Sequence, residues 1–308
     1  MSEPEAGSAA LRRARGGGTV RVLRGALRTR RGKVGATLAL LVFGIAFLGP
    51  FVPTTSPTAF VATPFGPPGN GGPLGGDVLG RDVASRVLDG GWLILTLAIL
   101  ATVLGVALGA FAGVVAAYRR GWWDTAIMRS TDVALALPQL VFVLLILSLI
   151  GPKLWLLVLA VGLSQAPQVA RVAYSAAQDV CERDFVKAVA VWGVAPRTVI
   201  RRHVLPNLVT PLMVETGLRL SYSVILISGL AFLGFGTAPP AADWGVMINE
   251  NRLGLSANPW GVVAPALLLA ILSVGTNTFA DAIARANLGE GRSEEAVVAS
   301  ALGATVEK

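Results

Sequence analysis

Glu215 and Arg219 stand four residues apart in an otherwise apolar run, with the acid on the N-terminal side. That spacing puts both on one helical face, in the favourable order for an ion pair. Each charge alone at the middle of a bilayer costs about 2.5–3.5 kcal/mol on insertion scales, so the pair needs a reason to be there. Two readings stand open: a charged lining of a substrate path, or an internal salt bridge one to two turns inside the cytoplasmic end of the helix. Asp281 and Arg285 repeat the spacing at the end of the last apolar run. An arginine near a helix C-terminus favours a structural role there.

Catalytic chemistry has little to work with. His203 is the sole histidine and Cys181 the sole cysteine. This excludes an intrachain disulfide, a cysteine-based zinc cluster and most catalytic triads. No G-x-x-x-x-G-K-[ST] loop occurs, and the one Gly-Lys pair, Gly32-Lys33, runs on into Val34, so the chain does not bind ATP through a Walker A loop. H-E-x-x-H and G-x-S-x-G do not occur either. Intramembrane proteolysis needs two aspartates facing each other within spans, and Asp132 and Asp281 lie at span ends. We expect no catalytic residue, no metal site and no cofactor bound by this chain.

The elements that must hold these residues are membrane spans. Of the 308 residues, 54% are hydrophobic and only 14% charged, against about 25% charged in soluble domains. Six apolar runs, near 34–52, 92–117, 134–150, 154–174, 208–234 and 262–284, approach the roughly 20 residues that a span requires. The fourth contains Ser164, Gln165, Pro167 and Gln168, which a span tolerates where they face protein or water. The expected fold is an all-α, multi-spanning membrane protein with six transmembrane helices. The lysines and arginines are divided unevenly between the connections, 21 on the side of the termini against 4 on the other. The positive-inside rule therefore places the chain in the cell membrane with both termini in the cytoplasm. The net charge of +8 does not signal nucleic acid, because the basic residues sit in the interruptions between apolar runs.

Around the 34–288 membrane domain, residues 1–18 read as a disordered basic tail without a cleavable signal peptide, and residues 289–308 as a flexible cytoplasmic tail. Residues 19–33 fit an interfacial helix, with Val20, Leu23 and Leu27 on one face and arginines turned to lipid headgroups. The external segment 53–91 begins rich in Pro and Gly and ends in a short amphipathic helix. The second external segment, 235–261, fits a short lateral helix over 245–252, with Trp244 and Trp260 at the membrane interface.

The longest cytoplasmic connection includes Glu182 to Asn207. Phe185, Ala188, Val189 and Trp192 fall at i, i+3, i+4 and i+7, one apolar stripe, and Gly193 follows where a helix stops. Pro196 suits the first turn of a second helix, which carries Arg197, Arg201 and Arg202, with Val199, Ile200 and Val204 on other faces, until Pro206 ends it. An apolar ridge flanked by charge and held between two spans is what a helix-in-groove contact requires. It points to a cytoplasmic protein partner rather than to lipid or nucleic acid.

Three stretches carry a resemblance. Asp184-Phe185, Ala188, Gly193 and His203-Val204-Leu205-Pro206-Asn207 match, in order, the EAA loop of binding-protein-dependent ABC-importer permeases. Val189 stands where a second Ala is common, and Ala195 replaces a capping Ser. Asp77 to Gly91, DVLGRDVASRVLDGG, is similar to the GTDxxGRDxxSRxxxG signature of the dipeptide/oligopeptide/nickel group, with Gly76 in place of its Thr. Leu233 to Ile248, LGFGTAPPAADWGVMI, is similar to LGLGxxPPxxxWGxM of the same group. The chain thus resembles the C-type permease subunit of that group over about residues 20–288.

The resemblance implies a type I ABC importer permease fold with a cytoplasmic coupling helix. It implies a second permease subunit enclosing the path, two ATPase subunits or one fused pair holding ATP and Mg, and an external solute-binding protein. Docking and coupling then fall to Asp184, Phe185, Ala188, Val189, Trp192, Gly193, Arg197, His203 and Pro206. Glu215 and Arg219 remain candidates for the path. The implied cargo is a di- or oligopeptide, with a nickel chelate, haem or another small solute as the alternative. The competing classes are an ATP-independent secondary transporter using Glu215 or Asp281 for protons, and a non-transport scaffold.

Overall fold

The computed structural model describes residues 22–52, 55–238 and 240–306; the expectations for residues 1–18 and Val20 lie outside them. Among the described residues these α-helices follow one another: α1 (Arg30–Leu48), α2 (Val83–Asp89), α3 (Gly91–Arg119), α4 (Trp122–Ala136), α5 (Gln139–Ile150), α6 (Leu154–Cys181), α7 (Asp184–Val191), α8 (Pro196–Val199), α9 (Leu205–Leu230), α10 (Trp244–Asn251) and α11 (Trp260–Val306). Five helical stretches are long and apolar enough to cross a membrane: Arg30–Phe51, Val83–Arg119, Leu154–Cys181, Pro196–Phe235 and Trp260–Ala286.

The expected third span, 134–150, is not one straight helix. α4 and α5 meet at 84°, and α5 has 12 residues, about 18 Å at 1.5 Å per residue, short of a ~30 Å hydrocarbon core. The cause lies at Pro138. Its ring drives the preceding residue out of the helical region, and Leu137 is extended, with φ −87° and ψ 127°. Counted with α4 as one bent span, this pair brings the total to six. α11 also continues as helix to Val306, through the segment expected to be a flexible tail.

Without water to expel between helices, close backbone approach drives packing in a bilayer. α3 supplies it with Gly105, Gly109 and Gly113, four residues apart. A Cβ on these would lie 2.8 Å from the carbonyl oxygen of Gly162, 2.4 Å from that of Ala166 and 2.4 Å from that of Ala170, all on α6. α1 crosses α11 in the same way, with Gly35 against Phe279 and Gly275 against Ala39. Between these seams Val42, Ile94, Leu95, Leu147, Leu157 and Ile227 form the buried centre.

Residues 22–28 are helical, and the helix breaks where the Thr29 hydroxyl accepts from Gly32 N at 3.0 Å, capping α1. The buried face differs from the expected one. Val22 and Ala26 pack on Ala282 and Ile283 of α11, while Leu27 is exposed. The segment is therefore held by protein on its inner side, with Arg24 and Arg28 turned outward.

The short helices expected in the two external segments are α2 and α10. Each starts on an aspartate: Asp82 accepts from the amides of Ala84 and Ser85, and Asp243 from those of Gly245 and Val246. Trp244 is not at the interface, as its type suggested. It is wholly buried and donates through Nε1 to the carbonyl of Val87 at 2.8 Å, so it pins α10 onto α2. Trp260 remains partly exposed.

Candidate functional site

The 182–207 connection is built as two short helices around a glycine. α7 begins at Asp184, an acid in the first turn, favourable to the helix dipole. Val186 is buried and Val189 packs with it on the ends of α3 and α6, beside Val114, Ala117, Val180 and Cys181. The predicted stripe is therefore divided. Val189 belongs to the inward side, while Phe185, Ala188 and Trp192 face out, joined by Val191. Trp192 is 80% and Val191 85% exposed. These two apolar side chains, at the tip of a short, anchored helix, are left uncovered by the described residues. Gly193 then takes φ +74°, a left-handed value that other residues adopt only with strain.

The second half does not end at Pro206. α8 opens on Pro196, runs through a π-helical turn over Ile200–Val204 and continues into α9. Pro206 would clash with the carbonyl four residues back in a regular helix. The wider turn, with Leu205 N donating to Ile200 O, accommodates it. The Asn207 side chain donates to the His203 carbonyl at 2.6 Å, a second repair of the same turn. The His203 ring meets Phe185 edge to face, with centroids 6.2 Å apart, tying the two halves together. Val199 and Val204 are buried, while Arg197, Arg201 and Arg202 are exposed.

Glu215 and Arg219 do form a pair, with Oε1 and Nε 2.9 Å apart and both side chains nearly buried. Arg219 Nη1 donates to Gln168 Oε1, and Gln168 stands at the middle of α6. Gln139, the first residue of α5, donates to the Ser164 carbonyl at 3.0 Å and approaches Gln168 Oε1 at 3.4 Å. The Arg219 guanidinium also lies over the ring of Tyr222, 4.8 Å from its centre. Further along α6, Arg171 donates to Asp132 of α4, both half exposed. Deeper in the bundle Gln165 donates to Ser223 at 2.8 Å, which pairs with Thr102 at 2.8 Å. A groove of about 710 Å³, lined mostly by apolar side chains of α3, α4 and α6, opens beside Gln139 and Ser164.

A third cluster escaped the sequence reading. Asp77, Arg81 and Arg86 are buried together beside Glu250 of α10. Arg81 Nε donates to Asp77 at 2.6 Å and its Nη2 to Glu250 at 2.9 Å. Arg86 Nη1 donates to Asp77 and, at 2.9 Å, to Glu250. Burial pushes the Asp77 carboxyl up, but the Arg81 amide and the Arg86 guanidinium together hold it below the ordinary carboxylate value. Asn258 adds a clamp, its amide group donating to the carbonyls of Gly66, Leu74 and Gly76 at 3.0 Å each. The clue in the sequence was the density of Arg and Asp in GRDVASR, but their common partner lies more than 160 residues away.

Apolar helices of spanning length, a polar cluster inside the bundle and an outward ridge between two of the spans fit a polytopic membrane permease. Residues 105–288 match the family model described as binding-protein-dependent transport system inner membrane component, and the chain belongs to that family. A Brucella suis protein provisionally named a peptide transport system permease is 33% identical over 260 residues, covering 83% of this chain and 87% of its own. A Brucella ovis protein provisionally named a peptide permease is 37% identical over 205 residues, 65% of this chain and 68% of its own. The glutathione transport system permease protein GsiD of Escherichia coli is 31% identical over 210 residues, 68% and 69% of the two chains.

Proposed function

We propose that this chain is one of two permease subunits of an ATP-driven importer of di- or oligopeptides, and that residues 182–207 couple its spans to cytoplasmic ATPases. The observation that carries the reading is the exposed Val191–Trp192 tip at the foot of the helical stretch Pro196–Phe235. An apolar tip of this kind fits a groove on a partner, and a continuous helix behind it passes a rigid-body shift into the membrane. The 21-to-4 distribution of basic residues supports a cytoplasmic position for that tip and for both termini. ATP and Mg then act on the partner subunits, and an external binding protein delivers the solute. The names of the relatives support a peptide cargo.

The test is purification of the complex from its native membrane. The chain should come out with a second permease and two ATPase units, and uptake should follow ATP. A chain that runs alone and transports on a proton gradient without ATPases would overturn the reading.

A further inference from the structure

Resting on the peptide-import reading, we propose that Arg219 and Glu215 form a station inside the helix bundle for the two ends of a short peptide. Arg219 takes the C-terminal carboxylate and Glu215 the N-terminal ammonium. The internal pair is close but not saturated. Nε lies 2.9 Å from Glu215 Oε1, yet it is among the buried nitrogens without an aligned hydrogen-bond acceptor. The other named partner of the guanidinium, Gln168, is an amide, which accepts a hydrogen bond without cancelling charge. The Tyr222 ring backs the guanidinium plane and is itself half exposed, so the nearly buried pair borders a face of α9 that is open at Tyr222.

The energetics select a zwitterion. A lone anion on Arg219 would strand the Glu215 carboxylate, and a lone cation on Glu215 would strand the guanidinium. Either leaves an unpaired charge in a medium of low dielectric, which is costly. A peptide with free termini exchanges one ion pair for two and strands nothing. The same logic repeats one turn further along α6, where Arg171 and Asp132 again offer opposite charges, half exposed. Gln139 joins the station from the start of α5 through Gln168.

The experiment uses the complete complex with its ATPases and binding protein in proteoliposomes. Three solutes are compared: Ala-Phe, its C-terminal amide and its N-acetyl form, each loaded on the binding protein at saturation. The wild-type complex should import the free dipeptide at least about tenfold faster than either capped form, the range of a charge-assisted hydrogen bond. Arg219→Gln should bring the ratio of free to amidated peptide within about twofold of one while leaving the N-acetyl ratio intact. Glu215→Gln should do the reverse, and Arg219→Lys should keep the wild-type preference. Wild-type ratios persisting in both Gln variants, or equal loss of all three solutes in them, would overturn the station. Should Arg219→Gln fail to assemble, an unchanged N-acetyl ratio in Glu215→Gln alone overturns it. A wild-type complex importing free and capped peptides equally removes only the station, whereas one importing none of the three removes the peptide reading itself.

Discussion

The ring of Phe185 meets that of His203 edge to face, at 6.2 Å and an interplanar angle of 60°. This joins the first helix of the 182–207 connection to the turn that opens the fourth straight span. Such contacts contribute about 0.5–1.5 kcal/mol beyond their area. Replacing His203 with Ala should therefore loosen α7 without unfolding the bundle. We expect an intact complex whose uptake per ATP hydrolysed falls by about two- to tenfold. Equal ratios in the variant and the wild type would show that the contact does not stiffen the connection.

Gly193 separates conformation from space. Nothing lies within 4 Å of the position its Cβ would take, but its φ is +74°. The cost of any side chain is thus backbone strain, about 1–2 kcal/mol for most residues and less for Asn. Gly193→Val should preserve insertion and assembly but uncouple ATP hydrolysis from uptake, while Gly193→Asn should retain most coupling. If Val and Asn behave alike, φ is not the reason for the glycine.

Accessibility of the tip can be read directly by labelling. In inside-out vesicles, a cysteine at Trp192 should react with a membrane-impermeant maleimide when the ATPases are stripped and be protected when they are bound. A cysteine at Val186, which is 3% exposed, should react in neither state. Cys181, buried, provides a low background. Reaction of the Trp192 position with ATPases bound would place the docking contact elsewhere.

The external charge cluster gives a pH-dependent expectation. The Asp77 carboxyl is held below its ordinary value, so its contribution is present above about pH 4 and is lost as pH falls through the depressed folded value. The stability gap between the wild type and Asp77→Asn, measured as the difference in thermal midpoint, should shrink on acidification below about pH 4. At neutral pH, removing one partner of such a buried pair costs about 3–5 kcal/mol. A gap that widens on acidification would contradict this assignment.

The glycine seam should be the least tolerant surface of the chain. Gly109→Leu places its Cβ 2.4 Å from the Ala166 carbonyl oxygen, and neither helix can yield without breaking contact at Gly105 and Gly113. Overpacking costs of about 1–3 kcal/mol or more should appear as loss of folded protein in detergent, whereas Gly44→Leu, with nothing within 4 Å, should be tolerated. Equal yields of both variants would deny the seam its role.

Where the sequence was informative, the physics was local. Apolar run length located the spans, Gly193 marked its turn, and the acid-then-base spacing found the pair of Glu215 and Arg219. Pro138 is equally visible, but the adjoining runs are apolar enough to hide the 84° bend beside it. What could not be read depended on distant partners. The polar residues of GRDVASR do not announce Glu250, nor does Trp244 announce Val87. Val22 and Ala26 are the buried face of their segment only because α11 lies on that side. Val189 leaves the predicted stripe for the same reason, since the ends of α3 and α6 wait beneath it.

The helical run from Pro196 to Phe235 spans 40 residues, with Gly234 leaving the helical region at φ 92° just before its end, about 60 Å at 1.5 Å per residue, or roughly twice the hydrocarbon core. At that length angle converts into distance: a tilt of about 5° displaces the far end by about 5 Å, the pitch of one helical turn. A small rotation at the Pro196 end thus suffices to move the far end, which α10 grips through Asn249 and the Phe232 carbonyl, by about a whole helical turn. A fluorophore pair across Trp260 and the outer leaflet would therefore report nucleotide state on the opposite side of the bilayer.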